Sequence, residues 1–145
     1  MALTKPFEAF ERPGLLMSYK LAAVKVYKGA LVGVNSSGYA TPMTHATANL
    51  KFIGVANETV DNSGGAAGDK SVNVTKVGSF VFKAASGFTP AQSDLGVEVN
   101  VSSDFEVKKG TSGLTNTYPV GTIMGIEATS TSESGVRIRI DAHTV

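Results

Sequence analysis

The feature that most constrains this chain is a Ser-Gly pair that keeps returning, as Ser37-Gly38, Ser63-Gly64, Ser86-Gly87, Ser112-Gly113 and Ser134-Gly135. Glycine reaches positive φ without steric cost and serine offers a hydroxyl to the turn's own backbone, so each pair predicts a chain reversal. The pairs fall roughly two dozen residues apart, which leaves about one hairpin between reversals.

The segments between them read as strands, over residues 30–34, 38–41, 52–56, 71–77, 79–83, 97–101, 105–108, 122–127 and 136–140. Alternation is cleanest in S-V-N-V-T-K-V, where Val72, Val74 and Val77 frame polar partners. It is equally clear in V-R-I-R-I, where Val136, Ile138 and Ile140 face one way and Arg137 and Arg139 the other. One buried and one wet face per strand predicts an antiparallel sheet in a small β-barrel or β-sandwich. Residues 15–26 fit a helix face and a strand equally. Two short helical turns are expected at most, at 89–96, where Thr89 caps and Pro90 opens the turn, and at 44–49.

An internal echo is also present. G-A-L-V-G-V-N-S-S-G-Y-A-T from Gly29 is answered by G-V-E-V-N-V-S-S-D-F-E-V from Gly96, with Ser36-Ser37-Gly38-Tyr39 set against Ser102-Ser103-Asp104-Phe105. K-F-I-G-V-A-N-E-T is answered by T-I-M-G-I-E-A-T-S. A duplicated β unit of about sixty-five residues accounts for this, with pseudo-repeats over about 29–86 and 96–141 inside one β domain, 15–145. Ahead of it, residues 1–14 read as an extended arm. Its two prolines, Pro6 and Pro13, oppose regular structure, and Leu3, Phe7 and Phe10 gain nothing from solvation, so the arm is read as docking on something, with these five as its candidate contact residues.

Little here points to chemistry. The 145 residues include no cysteine, which removes disulfides and thiolate nucleophiles or ligands together. Thirteen basic and twelve acidic residues are scattered, so nothing steers the chain to nucleic acid or to a membrane, and no secretory signal or spanning apolar run is visible. G-G-A-A-G-D-K-S, residues 64–71, imitates a phosphate loop but has Asp69 where glycine is required and leads into a strand, so it reads as a flexible hairpin loop. His45 and His143 have no second ligand at useful spacing, and Asp94 with Glu98 and Asp104 with Glu106 read as solvated carboxylates. No metal, cofactor or catalytic residue is expected, and the chain is read as a non-enzyme. The N-x-[ST] matches at Asn35, Asn57, Asn73 and Asn100 are expected by chance in a chain this rich in Asn, Ser and Thr.

The ordered series Y-K-G-A-L-V-G-V-N-S-S-G-Y-A, F-I-G-V-A-N, S-V-N-V-T-K-V-G-S-F-V-F-K-A-A, Gly87-Phe88-Thr89, G-V-E-V-N-V-S-S-D-F-E-V-K and V-G-T-I-M-G-I, closing on V-R-I-R-I, resembles the capsid decoration or cement proteins of tailed bacteriophages over about residues 15–141. That resemblance implies a structural virion protein, made in the host cytoplasm, that sits as a homotrimer on the outer surface of the head. There it bridges neighbouring subunits of the major capsid protein, with the N-terminal segment reaching across to the shell or a sister subunit. A rival expectation is a carbohydrate-binding or adhesin-like head-surface module, for which Tyr39 and Tyr118 are the platforms. A tail-tube or head-completion protein, a third, would form a ring in solution.

Overall fold

The computed structural model describes residues 14–145, which are all-β apart from one short turn of 3-10 helix at Gln92–Asp94. The strands run in order as β1 Leu16–Lys20, β2 Lys25–Val26, β3 Leu31–Val34, β4 Ala40–Pro42, β5 Lys51–Ala56, β6 Val60–Asp61, β7 Ser71–Thr75, β8 Ser79–Ala84, β9 Glu98–Val101, β10 Glu106–Lys109, β11 Pro119–Ala128 and β12 Ser134–Arg139. Within residues 15–26, Leu16–Lys20 is strand because β7 offers it a full antiparallel register, and Lys25–Val26 is strand by pairing with β6. Residues 44–49 form turns and no helix.

The first half is a five-stranded sheet in the order β1-β7-β5-β3-β4, and the second is a closed barrel in the order β10-β8-β12-β11-β9. These are one topology used twice. β4-β3-β5-β7-β1 corresponds strand for strand to β10-β9-β11-β12-β8, and every pairing within each series is antiparallel. In the second half β10 also pairs with β8 in parallel, closing the barrel at Glu106↔Lys83 and Val107↔Ala84. The first half closes at the corresponding place by a single parallel bridge, Leu21↔Ala40.

The registers fix which residues correspond. Val34 opposite Ala40 matches Val101 opposite Val107, and Val32 opposite Gly54 matches Val99 opposite Gly121. Tyr39 is therefore the counterpart of Glu106 rather than of Phe105, and Gly54 that of Gly121 rather than of Gly125, one residue and four residues from the sequence echo. A β-bulge interrupts both copies at the same point, between Phe52 and Gly54 and between Pro119 and Gly121. The units also begin one strand earlier than the echo suggests. β1 opens the first, and β8, which the echo left at the end of the first unit, opens the second by pairing with β12 and β10.

Two apolar cores follow from this arrangement. Leu21, Val26, Val32, Ile53, Val72 and Val74 fill the first sheet. Phe82, Val99, Val107, Ile123, Val136 and Ile138 fill the barrel, and Leu31, Met43, Leu50, Phe52 and Val55 of the first half join them. β3 and β5 thus form a wall between the cores, sending Leu31, Phe52 and Val55 one way and Val32 and Ile53 the other. This corrects the expectation of one wet face per strand. The runs L-V-G-V and F-I-G-V-A are nearly continuous in apolar residues because both of their faces are buried. Each fully buried aliphatic chain contributes roughly 1.5–3 kcal/mol.

One Ser-Gly pair is not a reversal. Gly135 lies inside β12, where a Cβ would come within 2.7 Å of the Phe82 carbonyl oxygen and 2.9 Å of that of Glu127. The turn falls earlier, between Thr129 and Glu133, with Ser132 at φ 62°. Glycine is needed at 135 for close strand approach, a requirement that composition does not distinguish from a turn.

Candidate functional site

The arm residues Leu3, Pro6, Phe7, Phe10 and Pro13 lie outside the described residues. The body offers a different candidate, a cleft of about 550 Å³ at the parallel seam of the second unit. The β2–β3 connection supplies one wall, with Tyr27 and Lys28. Val81 and Lys83 of β8 form the floor, and Asp104 and Phe105 of the β9–β10 turn stand opposite. The β11–β12 hairpin, residues 129–133, closes one end.

Local chemistry makes these walls firm. The Leu31 N–H donates to the Asp104 carbonyl at 2.7 Å, joining the start of β3 to the β9–β10 turn. The hairpin is bound to itself through Glu133 N–H to Thr129 Oγ1 at 3.1 Å and Thr131 Oγ1 to Glu133 Oε1 at 2.8 Å. Lys83 Nζ then ties it to β8 through Glu133 Oε2 at 2.7 Å, with Glu106 at 4.0 Å. The hydrogen bond from Lys83, followed by that from Thr131, holds the Glu133 carboxyl below the ordinary range. Two aromatic rings remain in solvent at the rim, Tyr27 at 58% and Phe105 at 52% exposure. Lys25 Nζ lies 4.7 Å from the Tyr27 ring centre and Lys83 Nζ 5.9 Å from that of Phe105.

The corresponding seam of the first unit is covered. There the long connection between β5 and β7 lies across Leu21, with Gly68 N–H donating to the Leu21 carbonyl and Leu21 N–H to that of Lys70, both at 2.8 Å. Asn62, buried, donates from Nδ2 to Leu21, Ala22 and Ala66 carbonyls, while the Asp69 carboxylate accepts from Ala66 N–H at 2.8 Å. The glycine-rich run read as a flexible loop is therefore bound down, and Asp69, which spoiled the phosphate motif, is one of its fasteners. Its counterpart in the second unit is the short 129–133 hairpin, and shortening that connection leaves the cleft open.

Other sequence candidates are committed elsewhere. Tyr118 donates its hydroxyl to the Thr47 carbonyl at 2.6 Å, and Tyr39 is half-buried beside Gly68, so neither is the open platform expected of it. His45 Nδ1 accepts from Thr115 N–H, and His143 Nε2 lies 2.8 Å from Glu98 Oε2. Among the described residues no group of three His, Cys, Asp or Glu side chains could hold a metal ion. Lys109, Arg137 and Arg139 pair with Asp94, Glu127 and Asp141. Nothing local in the sequence distinguishes the exposed rings of Tyr27 and Phe105 from buried ones; Phe105 carries only its position after a turn.

Two carboxyls titrate in opposite senses. Buried Asp94 accepts from Lys109 Nζ at 2.5 Å and from Ala91 N–H at 2.8 Å, and these bonds, Lys109 first, hold its carboxyl below the ordinary value. Its contribution to stability is complete above the unfolded-state value and is lost as pH falls through the folded one. Burial pushes the Asp104 carboxyl up, with Glu106 adding to the effect against its own backbone hydrogen bond, so its ionised form opposes folding and acidification relieves that cost. Asp94→Asn should therefore flatten the loss of stability between about pH 5 and pH 2, whereas Asp104→Asn should raise stability at neutral pH. Urea midpoints measured from neutral pH down to about pH 2 check both; unchanged profiles would contradict these environments.

No protein-family model and no curated protein matches the chain. In the residues described, no helix is long and apolar enough to cross a membrane.

Proposed function

We propose that this chain is a structural capsid decoration protein of a tailed-bacteriophage head, without catalytic activity, that binds the outer surface of the shell as a homotrimer and cements neighbouring major capsid subunits. The observation that carries the reading is an apolar stretch at the root of the arm. Leu15, Leu16 and Met17 are 65%, 48% and 42% exposed, and two of the three belong to β1. Successive strand residues face opposite sides, so Leu16 and Met17 expose apolar surface on both faces of β1, where it is open to contact, and in sequence they follow Leu3, Phe7 and Phe10. β1 is also the outermost strand of its sheet, so backbone groups accompany the side chains.

A cement protein needs rigidity and valency rather than reactivity. Two fused copies of one β unit, with a shared core, supply a stiff body. Three such bodies joined as a trimer would multiply modest contacts, because the second and third binding events become intramolecular. Binding to assembled shells in preference to free subunits then stabilises the shell by mass action.

The test is deletion of residues 2–12 alongside Leu15→Asp and Met17→Lys in the full chain. Each is expected to weaken binding to undecorated heads by at least about tenfold, a loss that trimeric avidity would amplify. Circular dichroism and sedimentation should show the same fold and trimer as the parent. Full affinity in the deletion variant would remove the arm from the reading, and a monomer in solution would remove the trimer.

A further inference from the structure

The parallel seam of the second unit carries a cleft whose lining includes none of the exposed apolar residues at β1. We propose that the cleft between Tyr27 and Phe105 binds a neutral saccharide. The proposal is independent of how the body attaches to a shell.

Internal symmetry provides the first argument. The same seam occurs twice, and in the first unit a long connection held by Asn62 and Asp69 covers it. In the second unit the connection is the short hairpin at residues 129–133, so the seam opens to solvent while its walls stay fastened by Lys83–Glu133 and by Leu31–Asp104. The volume, about 550 Å³, lies in the range of small-ligand sites, roughly 300–1,000 Å³, and suits one or two pyranose rings.

Lining chemistry provides the second. Tyr27 and Phe105 expose flat apolar surface at the rim, and the apolar face of a pyranose stacks on such rings. At the end of the cleft Thr129 and Thr131 are engaged within the hairpin, and the Ser130 hydroxyl and the half-buried Asp104 carboxyl are the groups left to meet a sugar's hydroxyl edge. The charged side chains of the lining are Lys28, Lys83, Asp104 and Glu133, two of each sign, and Lys83 is bonded to Glu133. Such a balance gives an anion or cation no net attraction and suits an uncharged, hydroxyl-rich ligand. A purely apolar peptide segment would instead leave the polar groups of the cleft desolvated without partners.

The experiment is titration of the ¹⁵N-labelled full chain with neutral di- to tetrasaccharides of glucose, mannose, galactose and N-acetylglucosamine, followed through the backbone amides. At least one sugar should shift resonances confined to residues 27–30, 81–83, 104–105 and 129–133. Phe105→Ala and Tyr27→Ala should each weaken that binding about tenfold or more, in line with the loss of a stacking ring, while amide positions remote from the cleft stay in place. Silence toward every sugar, shifts elsewhere on the surface, or affinity that survives both substitutions would overturn the proposal. A peptide of residues 2–12 that shifts the same resonances while the sugars do not would also overturn it, and would assign the cleft to the arm.

Discussion

Gly54→Ala is expected to destabilise the protein by more than about 3 kcal/mol, a large fraction of the roughly 5–15 kcal/mol that holds an ordinary domain folded. Two effects combine at this position. Its φ of +145° is disfavoured for any residue with a side chain, and a Cβ would press into the Thr75 carbonyl oxygen and Val74 Cγ1 on the adjacent strand. Neither neighbour can give way cheaply, because Val74 lies fully buried in the first core and Thr75 pairs with both Val55 and Leu16. Gly121 occupies the equivalent bulge, and a Cβ there would meet the Arg139 carbonyl, although its backbone carries no positive φ. Gly121→Ala should therefore cost less than Gly54→Ala. Gly38→Ala, with φ +83° but open space around it, should cost only about 1–2 kcal/mol. Urea unfolding of the three variants checks the order, and a Gly54→Ala protein with the parent's midpoint would contradict the close approach of β5 and β7.

Leu31→Ala is expected to cost about 3 kcal/mol, within the range for emptying a fully buried leucine site, and to do so in a single transition with an unchanged denaturant slope. Leu31 belongs to the first unit by chain but to the second by packing, since it lies with Phe82, Val107 and Val136 in the barrel core. Its loss should thus weaken both units together. Two separate transitions, with only one displaced, would show that the units fold independently and that the wall formed by β3 and β5 does not couple them. Val72→Ala, confined to the first core, provides the comparison.

The strands were legible because their signals are local. Val136, Ile138 and Ile140 are fully buried and Arg137 and Arg139 are exposed, as period-two alternation requires, and Val72 and Val74 behave likewise. Lys76 breaks that pattern in an informative way. It takes the place that Ile140 holds in the second unit, since Lys76 N–H donates to Leu15 and Ile140 N–H to Gly78. It is nonetheless buried, with its ammonium donating to the Tyr19 hydroxyl at 2.8 Å and to the Val145 carbonyl. A lysine's long apolar stem makes such burial possible, but nothing in S-V-N-V-T-K-V announces the partners that complete it.

By itself the sequence determined the all-β character, nine of the strand positions, most of the reversals and the existence of a repeat, because turn chemistry and side-chain alternation act over a few residues. Only the tertiary structure decided the register of that repeat, the sharing of one core between the units, and the open seam between Tyr27 and Phe105. Those depend on which strand edges meet and on what a connection of given length can cover. Residues brought together from positions 27, 83, 105 and 133 leave no periodic trace in a linear chain.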